Sequence, residues 1–263
     1  MLRHNKKVEL VTIPSIPLGP KLPKSDPRLI YPYGRYGESE YLAELTGKRV
    51  VIVGPASYMQ GKGLGELIDS FDIVVRINHA LPIAYPEDYG SKTNILYHIL
   101  SHRGNNLNKK PIEETELKLW HELGLDWMVC SHHAKSERIR IVGHMLENKF
   151  KWTCVNQKFS QGVKAQIGNK LPNTGVLAIS HLLLSRLKSL NVYGFDFYLS
   201  GVYTGYGDTK DDEVAIEINK RWHDVSAQLV YMSKLVKRDS RLIIDDTLRE
   251  VLDNGKELFK ELL

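Results

Sequence analysis

The stretch VVIVGPASYMQGKGLGELIDSFDIVVRIN, Val50 to Asn78, decides the fold. With Arg49 before it, it opens on a short β-branched run to Val53, carries a helix-compatible segment from Gly63 to Ser70, and closes on a second apolar run from Ile73 to Ile77. Short apolar runs alternating with helical segments are the rhythm of a parallel α/β sheet. Gly54, Gly61, Gly63 and Gly65 fall between strand and helix, where backbone amides can approach an anion without side-chain obstruction. The pattern is neither GxGxxG directly after a strand nor a P-loop, because Lys62 is followed by Gly63. On the glycines alone, a structural turn and a nucleotide site stand equal.

The same rhythm extends outward. Asn94 to Leu100 and Trp127 to Cys130 read as buried strands, with a helix from Pro111 to Leu123 between them. In LPNTGVLAISHLLLSRLKSLNVYGFDF, Leu171 to Phe197, a helix from about Gly175 to Leu187 precedes a strand from Asn191 to Phe195. Asn173 or Thr174 caps that helix, whose N–H groups and positive dipole end then face a crevice, although such caps close most helices without any ligand. Tyr198 to Asp212 reads as a long loop, a helix runs from about Asp212 to or past His223, and Leu248 to Leu262 is amphipathic. Pro14, Pro17, Pro20, Pro23, Pro27 and Pro32 make residues 1–40 an extended lead-in to a single domain at 41–263. The expected fold is α/β, a Rossmann-like parallel sheet with its ligand at the carboxyl ends of the strands.

A chain of 263 residues with 42% hydrophobic content buries a sizeable core. No run approaches the roughly 18 apolar residues that span a bilayer, and the first residues lack the apolar run of a signal peptide, so a cytoplasmic protein without a membrane span is expected. Cys130 and Cys154 are too few for a disulfide framework and predict a reducing compartment. The net charge of +5 is spread along the chain without the basic stripe that nucleic acid requires, and it suits an anionic substrate. Cys130, His132, His133 and His144, with His98 and His102, match no standard zinc spacing, so no metal is expected.

Taken together, these residues resemble the sialyltransferases of glycosyltransferase family 29. The large sialylmotif of that family, approximately VVGN(S/G)G, GSGLG, IDSFDxVxRxNxAP and DVGxKT, is matched by Val51 to Gly54, Gly61 to Gly65, Ile68 to Asn78 with Ala80, and Asp88 to Thr93. The small sialylmotif, PSTGxLAL followed by VNVYGF, is matched by Pro172 to Ala178 and Leu190 to Phe195. The last motif, a histidine with a glutamate five positions later, is matched by His223 and Asp224 with Gln228 in the glutamate position, and the third falls loosely near Tyr203 to Asp208.

The resemblance implies the sialyltransferase variant of the GT-A architecture and an inverting, metal-independent transfer of sialic acid from CMP-sialic acid to a glycan hydroxyl. It needs no cofactor. Transfer from a CMP-activated keto-acid sugar requires a stabilised leaving phosphate and a base for the acceptor hydroxyl. By itself a histidine beside Trp222 is an ordinary packed or surface residue; the motif makes His223 the base. The phosphate falls to Asn78 and the amides around Gly54, Ala56 and Ser57, the cytidine or sugar carboxylate to the Asn173-Thr174-Gly175 turn, with Tyr203 and Tyr206 as further donors. Asp88 and Lys92 are expected to brace a loop.

Besides Gln228, which loses any charge the motif's glutamate supplies to orient the base, three departures qualify the resemblance. Pro55 replaces the family's phosphate-contacting asparagine, Asn173 replaces the serine of PSTG, and the cystine of secretory-pathway members is absent, with Arg49 or Val50 and Leu187 in its place. A CMP-Kdo-dependent transferase, or an inactive nucleotide- or glycan-binding protein, would answer to the same residues.

Overall fold

The computed structural model describes residues 37–100, 102–103, 109–110, 114–131, 151–206 and 223–259. Most of the proline-rich lead-in, His132, His133, His144, Trp222 and the helix expected from Asp212 lie outside the described residues.

Strands β1 (Arg49–Val53), β2 (Ile73–Ile77), β3 (Ile95–His98), β6 (Trp127–Cys130), β7 (Lys151–Cys154), β8 (Ser189–Tyr193) and β9 (Leu242–Ile244) form one seven-stranded sheet in the order β7-β6-β3-β2-β1-β8-β9. Every pairing in it is parallel. The two remaining strands, β4 (His102–Arg103) and β5 (Lys109–Lys110), form a separate antiparallel ladder. Layers on both sides explain the unbroken apolar runs: Val50 and Ile52 enter one core cluster, Val51 and Val53 another.

The helices are α1 (Glu38–Glu44), α2 (Gly65–Asp69), α3 (Pro86–Tyr89), α4 (Glu114–Glu122), α5 (Gln157–Gln166), α6 (Thr174–Leu182), α7 (Val225–Arg238) and α8 (Asp246–Leu258). Every residue of α6 is buried, which is why its sequence is apolar nearly all round. Two polar residues in its body are satisfied internally. Ser180 donates to Val176 O and accepts from Tyr231, and His181 sits between Tyr97 Oη and Glu38 Oε1, 2.8 Å from each. Glu38 also accepts from the Asn156 amide at 2.7 Å, and Tyr41 reaches Tyr97 Oη at 3.0 Å. Thus α1 belongs to the core, and its first residue precedes Tyr41.

From β1 the chain builds the sheet outward through β2, β3, β6 and β7, then returns to the other side of β1 as β8 and β9. The strand order thus reverses at β1, and a crevice lies beyond the carboxyl ends of β1, β2 and β8. Packing there is tight at the base: a Cβ on Gly54 would lie 2.1 Å from Gly194 O, and one on Gly194 would lie 2.5 Å from Gly54 O.

Candidate functional site

The crevice encloses about 540 Å³ open to solvent. Its walls include Pro55 and Ala56 after β1, Ile77 at the end of β2 with Asn78 beyond it, Asn173 to Val176 at the start of α6, and Gly194 to Tyr198 after β8. Asn173 caps α6 by accepting from the Val176 amide at 2.7 Å, and Thr174 Oγ1 accepts from Asn78 Nδ2 at 3.2 Å. First-turn N–H groups have no intrahelical acceptor, so the helix presents them, with its positive dipole end, at Thr174 and Gly175. Asn78 adopts a left-handed φ of 46°, and its Oδ1 is buried without a hydrogen-bond partner. Asn78, Asn173, Thr174 and Gly175 therefore converge on one crevice wall.

The loop after β1 differs from the reading of its sequence. The amide of Gly54 donates to Tyr193 O, that of Ala56 to Gly194 O, and that of Ser57 to Gly201 O, while Pro55 has no N–H. Pro55 O in turn accepts from the Tyr203 amide, and the Ser57 hydroxyl is bonded to Ser200 O. The 55–58 loop is thus zipped to residues 200–203, and its amides are already engaged. Ala56 lines the crevice by position rather than as an amide donor.

The glycine-rich turn holds an anion of the chain itself. Gly61 and Gly63 donate their amides to the two oxygens of Asp88, at 2.7 and 2.8 Å, and these bonds hold the Asp88 carboxyl below the usual carboxylate range. Asp88 and Lys92 brace the loop separately: Lys92 Nζ donates to Phe71 O and Asp72 O. Arg76, 2% exposed, clamps the same region through Thr93 Oγ1 and the carbonyls of Tyr89, Gly90 and Lys92.

The tyrosines also separate. Tyr203 is buried against Tyr89 with ring centroids 4.6 Å apart, burial pushes its hydroxyl up to about 12, and it is not a lining residue. Tyr206 Oη donates to Ile77 O at 3.3 Å, beside Asn78.

His223 is not helical. Asp224, extended at φ −100° and ψ 97°, caps α7 by accepting from the Ala227 amide at 2.8 Å, so His223 precedes the helix. The ring lies 2.6 Å through Nδ1 from Leu171 O. A carbonyl only accepts, so Nδ1 carries the proton and Nε2 the lone pair of the neutral ring. This bond ties His223 to the segment that leads into the cap of α6.

Two partnerships escaped the sequence reading. Gln228, fully buried, accepts from the Asn173 amide at 2.9 Å and donates to Asp224 O at 3.3 Å. Tyr58 Oη, bonded to the Asp245 carboxylate, accepts from the Gly194 amide at 2.8 Å. Burial, chiefly, pushes both the Tyr58 hydroxyl and the Asp245 carboxyl up. Nothing in the spacing of these residues announces either link.

On the far flank, Cys130 stands opposite His98 and Cys154 on adjacent strands, and the two cysteines are not joined in a disulfide. Among the described residues no three His, Cys, Asp or Glu side chains gather as metal ligands, and no helix is long and apolar enough to cross a membrane.

The sequence is 25% identical over 227 residues to the human CMP-N-acetylneuraminate-beta-1,4-galactoside alpha-2,3-sialyltransferase, covering 78% of this chain and 58% of that protein. Over 60 residues, 23% of this chain and 18% of the relative, it is 37% identical to a rat CMP-N-acetylneuraminate-beta-galactosamide-alpha-2,3-sialyltransferase 4. The fold is similar to that of a mammalian sialyltransferase in complex with Gal-beta-1-3GalNAc-ortho-nitrophenol, with a TM-score of 0.52 at 15% identity over 79% of this chain and 78% of the other. It is also similar to the sialyltransferase CST-II in complex with CMP, with a TM-score of 0.50 at 16% identity over 78% and 84%. Residues 36–240 match the model of glycosyltransferase family 29 (sialyltransferase), and the chain belongs to that family.

Proposed function

We propose that this chain transfers sialic acid from CMP-sialic acid to a hydroxyl of a glycan acceptor, in one inverting displacement, without a metal, with His223 as general base. The acceptor oxygen forms the new bond to the anomeric carbon as the bond to the CMP phosphate breaks. The acceptor proton passes to Nε2 of His223, and CMP leaves with the bonding pair. The observation that carries this reading is the Nδ1–H bond from His223 to Leu171 O, which sets the basic tautomer two residues from the cap of α6. Thr174 and Gly175 at that helix start, with Asn78 beside them after β2, suit the anionic donor, and the helix dipole supplies positive potential where the phosphate gathers charge. The engaged amides at Gly54, Ala56 and Ser57 shift the phosphate toward Asn78 and α6. Because the chain spans 58% of the length of its human relative, donor and acceptor are those of this catalytic unit to be tested.

The test is CMP release from CMP-sialic acid and from CMP-Kdo with a mixed glycan panel, comparing the native chain with His223→Ala, with and without chelator. Release from CMP-sialic acid that requires His223 and ignores chelator is expected. Release from CMP-Kdo alone would reassign the donor, and turnover by His223→Ala would remove the base.

A further inference from the structure

The segment 171–173, which leads into α6, is tied twice to the segment that carries His223. One tie is the His223 Nδ1–H bond to Leu171 O. The other is Gln228, whose side chain crosses from α7 to accept from the Asn173 amide at 2.9 Å while donating through Nε2 to Asp224 O at 3.3 Å. Asp224 O also accepts from the Gln228 amide at 3.0 Å, so side chain and backbone of one residue close on the carbonyl next to His223. The two bonds have opposite polarity. A primary amide satisfies both at once, whereas an ionised carboxylate can accept from Asn173 but offers no proton to the Asp224 carbonyl. At 0% exposure no water competes for either bond.

We propose that Gln228 is the positioning residue that holds His223 in register with the anion-facing start of α6. It touches neither substrate nor proton; it acts through Asn173, which caps α6, and Asp224, which caps α7. The Gln228 bridge therefore fixes the distance and angle between the base and the helix turn that receives the donor. This rests on His223 being the base. A helix start and a base that shift apart by about 1 Å lose roughly a hundredfold in rate, because the acceptor no longer lies in line with the leaving group.

The experiment compares Gln228→Met, of similar length and without polar atoms, and Gln228→Glu, which keeps the accepting half, with the native chain and His223→Ala. In correctly folded protein, Gln228→Met is expected to lower kcat with CMP-sialic acid about 10- to 100-fold while KM for the donor changes less than about threefold, with Gln228→Glu between it and the native chain. A second readout needs no turnover. Long-range proton–nitrogen NMR, with the His223 ring assigned by its loss in His223→Ala, should show Nδ1–H in the native chain and a mixed tautomer in Gln228→Met. Native kcat in folded Gln228→Met, or an unmoved His223 signal, overturns the proposal. Turnover by His223→Ala overturns the base assignment instead, and the tautomer readout still decides whether Gln228 positions the ring. Should Gln228→Met not fold, the same two readouts apply to Gln228→Glu.

Discussion

Gly54 and Gly194 meet backbone to backbone where β1 and β8 end, with only 2.1 Å between Gly194 O and the place a Cβ would occupy on Gly54. Backbone cannot yield as a side chain does, so Gly54→Ala must part the two strands. Gly194 adds a φ of 75° that side chains resist. Each alanine variant should cost about 3 kcal/mol or more, read as a drop in urea midpoint or loss of soluble protein. Gly175 presents the contrast, since its Cβ would lie 2.3 Å from the Phe195 ring. There Phe195→Leu should restore part of what Gly175→Ala loses, whereas no single partner change rescues Gly54→Ala. Native-like stability in Gly54→Ala would contradict the packing.

Asp88 supplies a pH signature. Its carboxyl is depressed by the amides of Gly63 and Gly61. A group depressed in the folded state stabilises fully above its ordinary value of about 3.9 and loses that contribution as pH falls through the native value. Asp88→Asn turns an NH₂ toward one of these amides and should cost about 1–3 kcal/mol at pH 6. The gap between native and variant unfolding free energies should stay constant above about pH 5 and close below about pH 4. A gap that persists unchanged to pH 3 would mean that the glycine amides are not held by charge.

Asn78 should matter to the ligand more than to the fold. Its Oδ1 is buried without a partner and its backbone is left-handed, so Asn78→Gly keeps the conformation while removing the polar group. Calorimetric titration with CMP-sialic acid should show Kd rising about tenfold, the equivalent of one lost hydrogen bond, with a stability change under about 1 kcal/mol. An unchanged Kd would place the donor elsewhere in the crevice.

The fold was legible wherever a strand is buried on both faces. Arg49–Val53, Ile73–Ile77 and Trp127–Cys130 stand as read, because unbroken apolar runs leave little choice. The strand read as Asn191 to Phe195 is Ser189–Tyr193: Gly194 turns the chain, and Phe195 packs against Gly175 instead of continuing the pleat. Edge strands Lys151–Cys154 and Leu242–Ile244 went unread because they are short and Ile243 is exposed. The helix Gln157–Gln166 carries a glycine and a mild apolar stripe. The crevice position of Asn78 and of the Asn173-Thr174-Gly175 turn was legible because each sits at the end of a strand or the start of a helix. The tasks of Gln228 and Asp88 were not, since their partners lie 55 and 25 or more residues away and only the folded chain joins them. The engagement of the amides after β1 was hidden for the same reason: Tyr193 O, Gly194 O and Gly201 O, more than a hundred residues on, accept from Gly54, Ala56 and Ser57.

The carboxylate of Glu38 gives the domain a border that composition does not mark. It closes a hydrogen-bonded line running through His181 and Tyr97 to Tyr41, and it holds the Asn156 amide at the cap of α5. A shortened chain starting at Tyr41 would keep the aromatic part of α1 and lose the carboxylate that bonds both the cap of α5 and His181 of α6. It would leave His181, wholly enclosed, facing a gap where an acid had been. Helix α1 is thus a strap across the fold, fastening the crevice-bearing α6 to the cap of α5.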